Sequence, residues 1–178
     1  MPNPRLRSDK KWEAQFKIVS DLFYLSEQYK DDVYLLQEYA KAIRNPVVFD
    51  NQVKETNCLL DYTIPNIDND KTTPDHLIGM SNIVLYIIKS KLYQKWKTPD
   101  DFKKTLKALQ VTIICPKKLN NSKVFKDWVF KYDDIESSIH WASKLKKNNI
   151  EFLLDKDGNQ ISVDRVWSEW FFINKSYL

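Results

Sequence analysis

Residues 98–116 read TPDDFKKTLKALQVTIICP, and this stretch decides the fold class. Thr98 offers a side-chain oxygen to the unpaired amides of a first helical turn. Pro99 suits the first helical position, where its missing N–H leaves nothing unsatisfied. Asp100 and Asp101 put negative charge on the positive end of the helix dipole. Phe102, Leu106 and Leu109 then share one face, which predicts a helix to about Leu109. Val111–Cys115 changes to a β-branched apolar run closed by Pro116, the pattern of a buried strand. A capped amphipathic helix running straight into a buried strand places the chain among mixed α/β folds.

Working outward, Trp12, Phe16, Val19 and Phe23 predict a helix over about 10–29, with Ile18, Leu22 and Leu25 widening its stripe. A second helix is expected over 33–44, capped by Asp31 or Asp32, with Tyr34, Leu35, Leu36, Tyr39 and Ile43 inward. The short break between the two suggests an αα-hairpin, stopped at Asn45-Pro46. Pro46–Phe49 is a candidate short strand. Residues 57–74, rich in Asn, Asp, Thr and Pro, read as a long irregular loop. Pro74, with Thr73 as its cap, is expected to open a helix over Asp75–Trp96 that buries Leu77, Met80, Val84, Ile87 and Ile88. A further helix, capped by Asp133 or Asp134, is expected to run to about Lys147, burying Ile135, Ile139, Ala142 and Leu145, and a last helix or irregular segment is expected over 164–173. Strands are expected at Ile150–Leu154 and Ile161–Val163, joined by an Asp157-Gly158 turn. The expectation is therefore a helix-rich α+β fold with a small sheet of three or four strands packed by several helices. Its parts are a basic tail (1–8), a helical hairpin (9–45) and a mixed α/β unit (46–178), forming one compact body with the hairpin.

Composition bounds the function. The chain has 178 residues, with six Trp, nine Tyr and nine Phe, enough for a real core. Only Gly79 and Gly158 are glycines, which excludes glycine-rich phosphate loops and dinucleotide fingerprints. Two cysteines, Cys58 and Cys115, make no disulfide framework and no metal spacing. They fit a reducing, intracellular, cytoplasmic setting. The longest apolar run, Ile83–Ile88, is six residues, too short to cross a membrane. The first residues, MPNPRLRSDKKW, hold no apolar core for a secretory signal. Charge is segregated. The net charge is only +4, yet residues 86–147 hold fifteen Lys against six acids, a local +9, between acidic flanks. A basic middle favours an anionic partner.

Several residues are candidates for chemistry. Asp75 and His76 form an acid–imidazole pair that could serve a nuclease, the ring as base and the carboxylate as metal ligand or orienter. The plainer reading is a helix-opening acid beside a surface histidine. Asn120, just after the clearest strand, could orient a histidine, and His140 completes the order His, Asn, His. A divalent metal would then be the cofactor. Pro74-Asp75 with Asp101-Phe102-Lys103 offers a weaker nuclease pattern, since its Asp-x-Lys belongs on a strand. Asp61, Asp68, Asp70 and Asp75 could meet a cation through oxygen, although their spacing matches no EF-hand loop. In residues 117–132, Lys117, Lys118, Lys123, Lys126 and Lys131 interleave with Phe125, Trp128, Phe130 and Tyr132. Lysines neutralise phosphates and aromatic faces stack on unpaired bases, so this segment predicts nucleic-acid binding. The plainer reading puts the aromatics in the core and the lysines on its wet side.

TTPDHLIGMSNI, TPDDFKKTLKAL and VTIICPKKLNN together resemble small uncharacterised proteins of large tailed phages, which share a Thr-x-x-His opening, a Phe-bearing helix, a Thr-Ile strand and a downstream Asn. KKNNIEFLL and VWSEWFF are similar to the tail of that family. The resemblance covers about half the chain and implies a nuclease-like role for His76 and Asn120. No second acidic or histidine ligand beside His76 is evident. The Lys- and Asn-rich, Gly-poor composition also suits an AT-rich phage, viral or organellar genome. The sequence thus predicts a nucleic-acid-associated viral protein. Its alternative is a protein-interaction module, an inhibitor of a host factor or part of a viral assembly, using the aromatic segment Trp167–Phe172. The oligomeric state is left open.

Overall fold

The computed structural model describes residues 9–45, 58–65, 71–120 and 139–178. Asp9–Ser26 forms α1, and Trp12, Val19 and Phe23, spaced seven and four apart, are its buried apolar residues. After a 3-10 turn, Glu27–Tyr29, comes α2, Val33–Ile43. The Asp32 carboxylate caps α2 by accepting the Leu35 N–H at 2.9 Å. Its inward residues are Leu36, Ala40 and Ile43, one i, i+4, i+7 line. Tyr34 and Leu35, expected inward, lie off that line and are exposed, as are Ile18 and Leu25 of α1. The candidate strand 46–49 lies outside the described residues.

Among the described residues the sheet has five strands, one more than the upper expectation, in the order β2-β3-β1-β4-β5. They are β1 (Cys58–Thr63), β2 (Thr72–His76), β3 (Val111–Pro116), β4 (Phe152–Leu154) and β5 (Gln160–Ser162). β1 and β3 are parallel, and the other neighbours are antiparallel. Val111, Thr112 and Ile113 are all buried. Successive strand residues face opposite ways, so β3 is covered on both faces.

Two expectations fail here for one reason. The segments expected as loop and helix start contain β1 and β2. CLLDYT gains its order by pairing with β3, and TTPDH by an antiparallel register from Thr72–Pro116 to His76–Thr112. β2 is an edge strand, which tolerates Pro74 because no neighbour needs its missing N–H. The helix then starts later: α3 spans Met80–Lys89, and Asn82 through Ile88 are all buried. A helix buried on every side is the centre of the domain. Lys91, in the left-handed region at φ 56°, breaks it before a 3-10 turn, Leu92–Lys95.

α4, Pro99–Leu109, starts as the sequence predicts. Thr98 Oγ1 accepts the Asp101 N–H at 3.2 Å, and the Asp101 carboxylate accepts the Thr98 N–H at 3.0 Å, a complete capping box. Aromatic rings lock α4 to α1: Trp12 and Trp96 both stand edge-on to Phe102, and Phe23 packs on Tyr93 and Trp96. A short α5, Lys117–Asn120, follows β3. α6 spans Trp141–Lys147; the expected start of this helix, 133–138, lies outside the described residues. β4 and β5 form the expected hairpin, turning at Gly158, whose φ of 82° glycine adopts without a Cβ clash. α7, Val163–Asn174, is capped by Ser162 and ends in a 3-10 turn, Lys175–Tyr177. Buried residues from α1 through α7 form one cluster. Among the described residues no helix is long and apolar enough to cross a membrane.

Candidate functional site

Asp75 and His76 lie on β2, and the other residues singled out for chemistry do not join them as the nuclease reading requires. Facing residues of an antiparallel pair share a sheet face, and successive residues alternate. Asp75 faces Ile113 and Thr73 faces Cys115; Pro74 faces Ile114 and His76 faces Thr112. Asp75 and Cys115 therefore lie on one face and His76 on the other. An acid and an imidazole on opposite faces of one strand do not work on the same water. The helix expected to present both is absent, and with it their shared orientation.

Asp75 has a different partner. Lys144 of α6 places Nζ 3.6 Å from Asp75 Oδ2 and donates to the His76 carbonyl at 3.2 Å. Its side chain is 7% exposed and that of Asp75 20%. Burial pulls the Lys144 ammonium below its ordinary pKa, and the Asp75 carboxylate opposes that fall. Burial first, then the negative charge of Asp75, pushes the Cys115 thiol up to about 11. A thiol held neutral at pH 7 is a poor nucleophile. The cluster thus joins α6 to the edge strand by a largely buried ion pair. Lys144 was missed by the sequence reading, which counted it only as one of many basic residues. The available signal was spacing: Lys144 is three residues after Trp141 and next to Leu145, inside the buried stripe of its helix.

Asn120 ends α5, beyond the Pro116 end of β3, beside which Thr72 lies. His76 is at the other end of β2, four residues away, or about 14 Å at ~3.4 Å per residue. The two are not brought together. His140 is the N-cap of α6. Its Nδ1 accepts the Ser143 N–H at 3.3 Å and sits 2.6 Å from Ser143 Oγ, and its ring packs 4.1 Å from Trp167. Burial lowers its pKa. This is a capping and packing histidine. Asp101 and Lys103 serve the start of α4: Asp101 in its capping box, Lys103 beside Asp100 and over the Trp12 ring. Asp61 is exposed on β1, while Asp68 and Asp70 lie outside the described residues. Among the described residues no three His, Cys, Asp or Glu side chains gather as a metal site would require.

The basic segment is seen in part. Lys117 and Lys118 are exposed on α5. The Lys117 N–H donates to the Lys71 carbonyl at 2.8 Å, which sets a third exposed lysine beside them. Among the described residues no carboxylate pairs with any of the three. Lys123, Phe125, Lys126, Trp128 and Lys131, with Phe130 and Tyr132, lie outside the described residues. At the C-terminal end, Trp170 is buried and packs on Trp141 and Trp167, while Phe171, Phe172 and Ile173 are exposed. Comparison with protein-family models, curated proteins and solved structures gives no match.

Proposed function

We propose that this chain is a small nucleic-acid-associated protein of viral, phage type, acting in the host cytoplasm and holding phosphate backbone through its basic middle. One observation carries this reading: Lys71, Lys117 and Lys118 stand exposed together at one end of the β2–β3 pair, with no carboxylate partner among the described residues. They belong to a chain whose residues 86–147 carry a local +9. Unpaired ammonium groups on one edge suit phosphates, which they neutralise with release of counterions. The reading assigns no catalytic step to Asp75, because that carboxylate is taken up by Lys144.

Fluorescence anisotropy with a labelled duplex tests it. Binding is expected at ~50 mM salt, and each neutralised phosphate contributes about −0.9 to the slope of log K against log salt. Charge reversal of Lys117, Lys118 and Lys123 to Glu should weaken binding to all sequences alike and flatten that slope. Salt-independent affinity, or no binding at ~50 mM salt, would remove the proposal. A second reading, a protein-interaction module, draws on exposed Phe172 and Ile173 at the end of α7. Loss of a protein partner on Phe172→Ser and Ile173→Ser, with nucleic-acid binding absent throughout, would favour it.

A further inference from the structure

We infer that the cavity between α4, β1 and α7 is a binding site for a small amphiphilic anion, an apolar body carrying one carboxylate. The cavity measures about 490 Å³, within the ~300–1,000 Å³ of small-molecule sites. Leu60 and Tyr62, two apart on β1, form one wall, and Val166, Trp170 and Ile173, on one line of α7, form the other. Water in such a space finds few hydrogen-bond partners, so an apolar body displaces it readily. Trp170 is 5% exposed, and its ring is part of the apolar floor.

The rim sets the charge of the head group. Lys104 and Lys107, three apart on α4, are exposed at the cavity mouth, and among the described residues no carboxylate pairs with either. The acid at the same cavity, Glu169, is held by Arg165, whose Nε donates to Oε1 at 2.9 Å, so its charge is already compensated. The mouth is thus net positive above an apolar floor. The lining is mainly apolar, so a nucleotide base would find few partners for its polar edge, whereas the aliphatic tail of a carboxylate needs none and only its head group calls on the lysines. This site uses neither Lys71 nor the lysines of α5, so it stands or falls apart from nucleic-acid binding.

Isothermal titration calorimetry on the full chain, with decanoate and decyltrimethylammonium below their micellar concentrations, decides it. Decanoate should bind one to one, at least about tenfold tighter than the cation, since the tails match and only the head charge differs. K104E/K107E should weaken decanoate about tenfold and reverse the preference. Ile173→Trp, at a largely exposed rim position, should block the cavity and abolish binding. The head-group comparison uses the unaltered chain and does not depend on any variant folding. Absence of saturable decanoate binding, equal binding of the two head groups, or full binding by Ile173→Trp would each overturn the inference.

Discussion

Replacing Asp75 and Lys144 separately should cost different amounts, and the order follows from their burial. Asp75→Ala leaves the Lys144 ammonium, 7% exposed, without its carboxylate. Breaking a buried pair from one side costs ~3–5 kcal/mol, and the partial exposure of Asp75 argues for about 3. Lys144→Met keeps the length of the side chain and removes the buried charge. It leaves Asp75, 20% exposed, free to meet water, so its cost should be about 1 kcal/mol or less. In a chain of this size each kcal/mol shifts the melting temperature by ~2–4 °C. The expected losses are therefore about 6–12 °C for Asp75→Ala and about 4 °C or less for Lys144→Met.

pH adds an independent check. Burial lowers the Lys144 pKa from 10.5 in the native state. Between the lowered value and 10.5 the unfolded chain binds more protons, so stability rises with pH in that window. Removing Asp75, which opposes the fall, extends the window downward. The deficit of Asp75→Ala should shrink between pH 7 and pH 9, while that of Lys144→Met should show no such recovery. Urea unfolding followed by tryptophan fluorescence at both pH values measures this. Equal losses for the two variants, or a deficit in Asp75→Ala that does not change with pH, would refute the assignment of this pair as a buried structural link.

Trp170→Ala should destabilise by ~3–5 kcal/mol, while Phe172→Ala, at a position 72% exposed, should stay within ~0.5 kcal/mol; similar melts for the two would mean that α7 is packed on the wrong side. Deleting 165–178 should unfold the domain by removing Val166 and Trp170 from the core, visible as loss of the cooperative thermal transition. Thr98→Ala should cost about 1 kcal/mol through loss of the α4 cap, measured by chemical denaturation. His140 caps α6 only with Nδ1 unprotonated, and its native pKa lies below 6.5, so its contribution is present above pH 6.5 and is lost as pH falls through the lowered value. The stability gap between the unaltered chain and His140→Ala should narrow from pH 7 to pH 5; a widening gap would contradict the cap.

The same tripeptide, Thr-Pro-Asp, occurs at 73–75 and at 98–100 and separates what sequence determines from what tertiary structure decides. At 98–100 every signal is local: Asp101 stands where a capping box needs a carboxylate, and Phe102, Leu106 and Leu109 supply the buried face. That helix, the strand after it, the capped α2 and the β4–β5 turn were all legible. At 73–75 the corresponding box position is His76, which cannot return the carboxylate bond, and Gly79 interrupts the run. There the backbone instead pairs with β3 along the whole of Thr72–His76. A strand takes its hydrogen bonds from a partner distant in sequence, so its own residues specify it weakly. The same physics governs the site. Segregated charge and lysines beside the clearest strand are properties of the chain itself. That Asp75 and His76 face opposite ways, and that Asp75 meets Lys144 from a helix 69 positions later, follows only once the sheet has formed and α6 has packed on its edge.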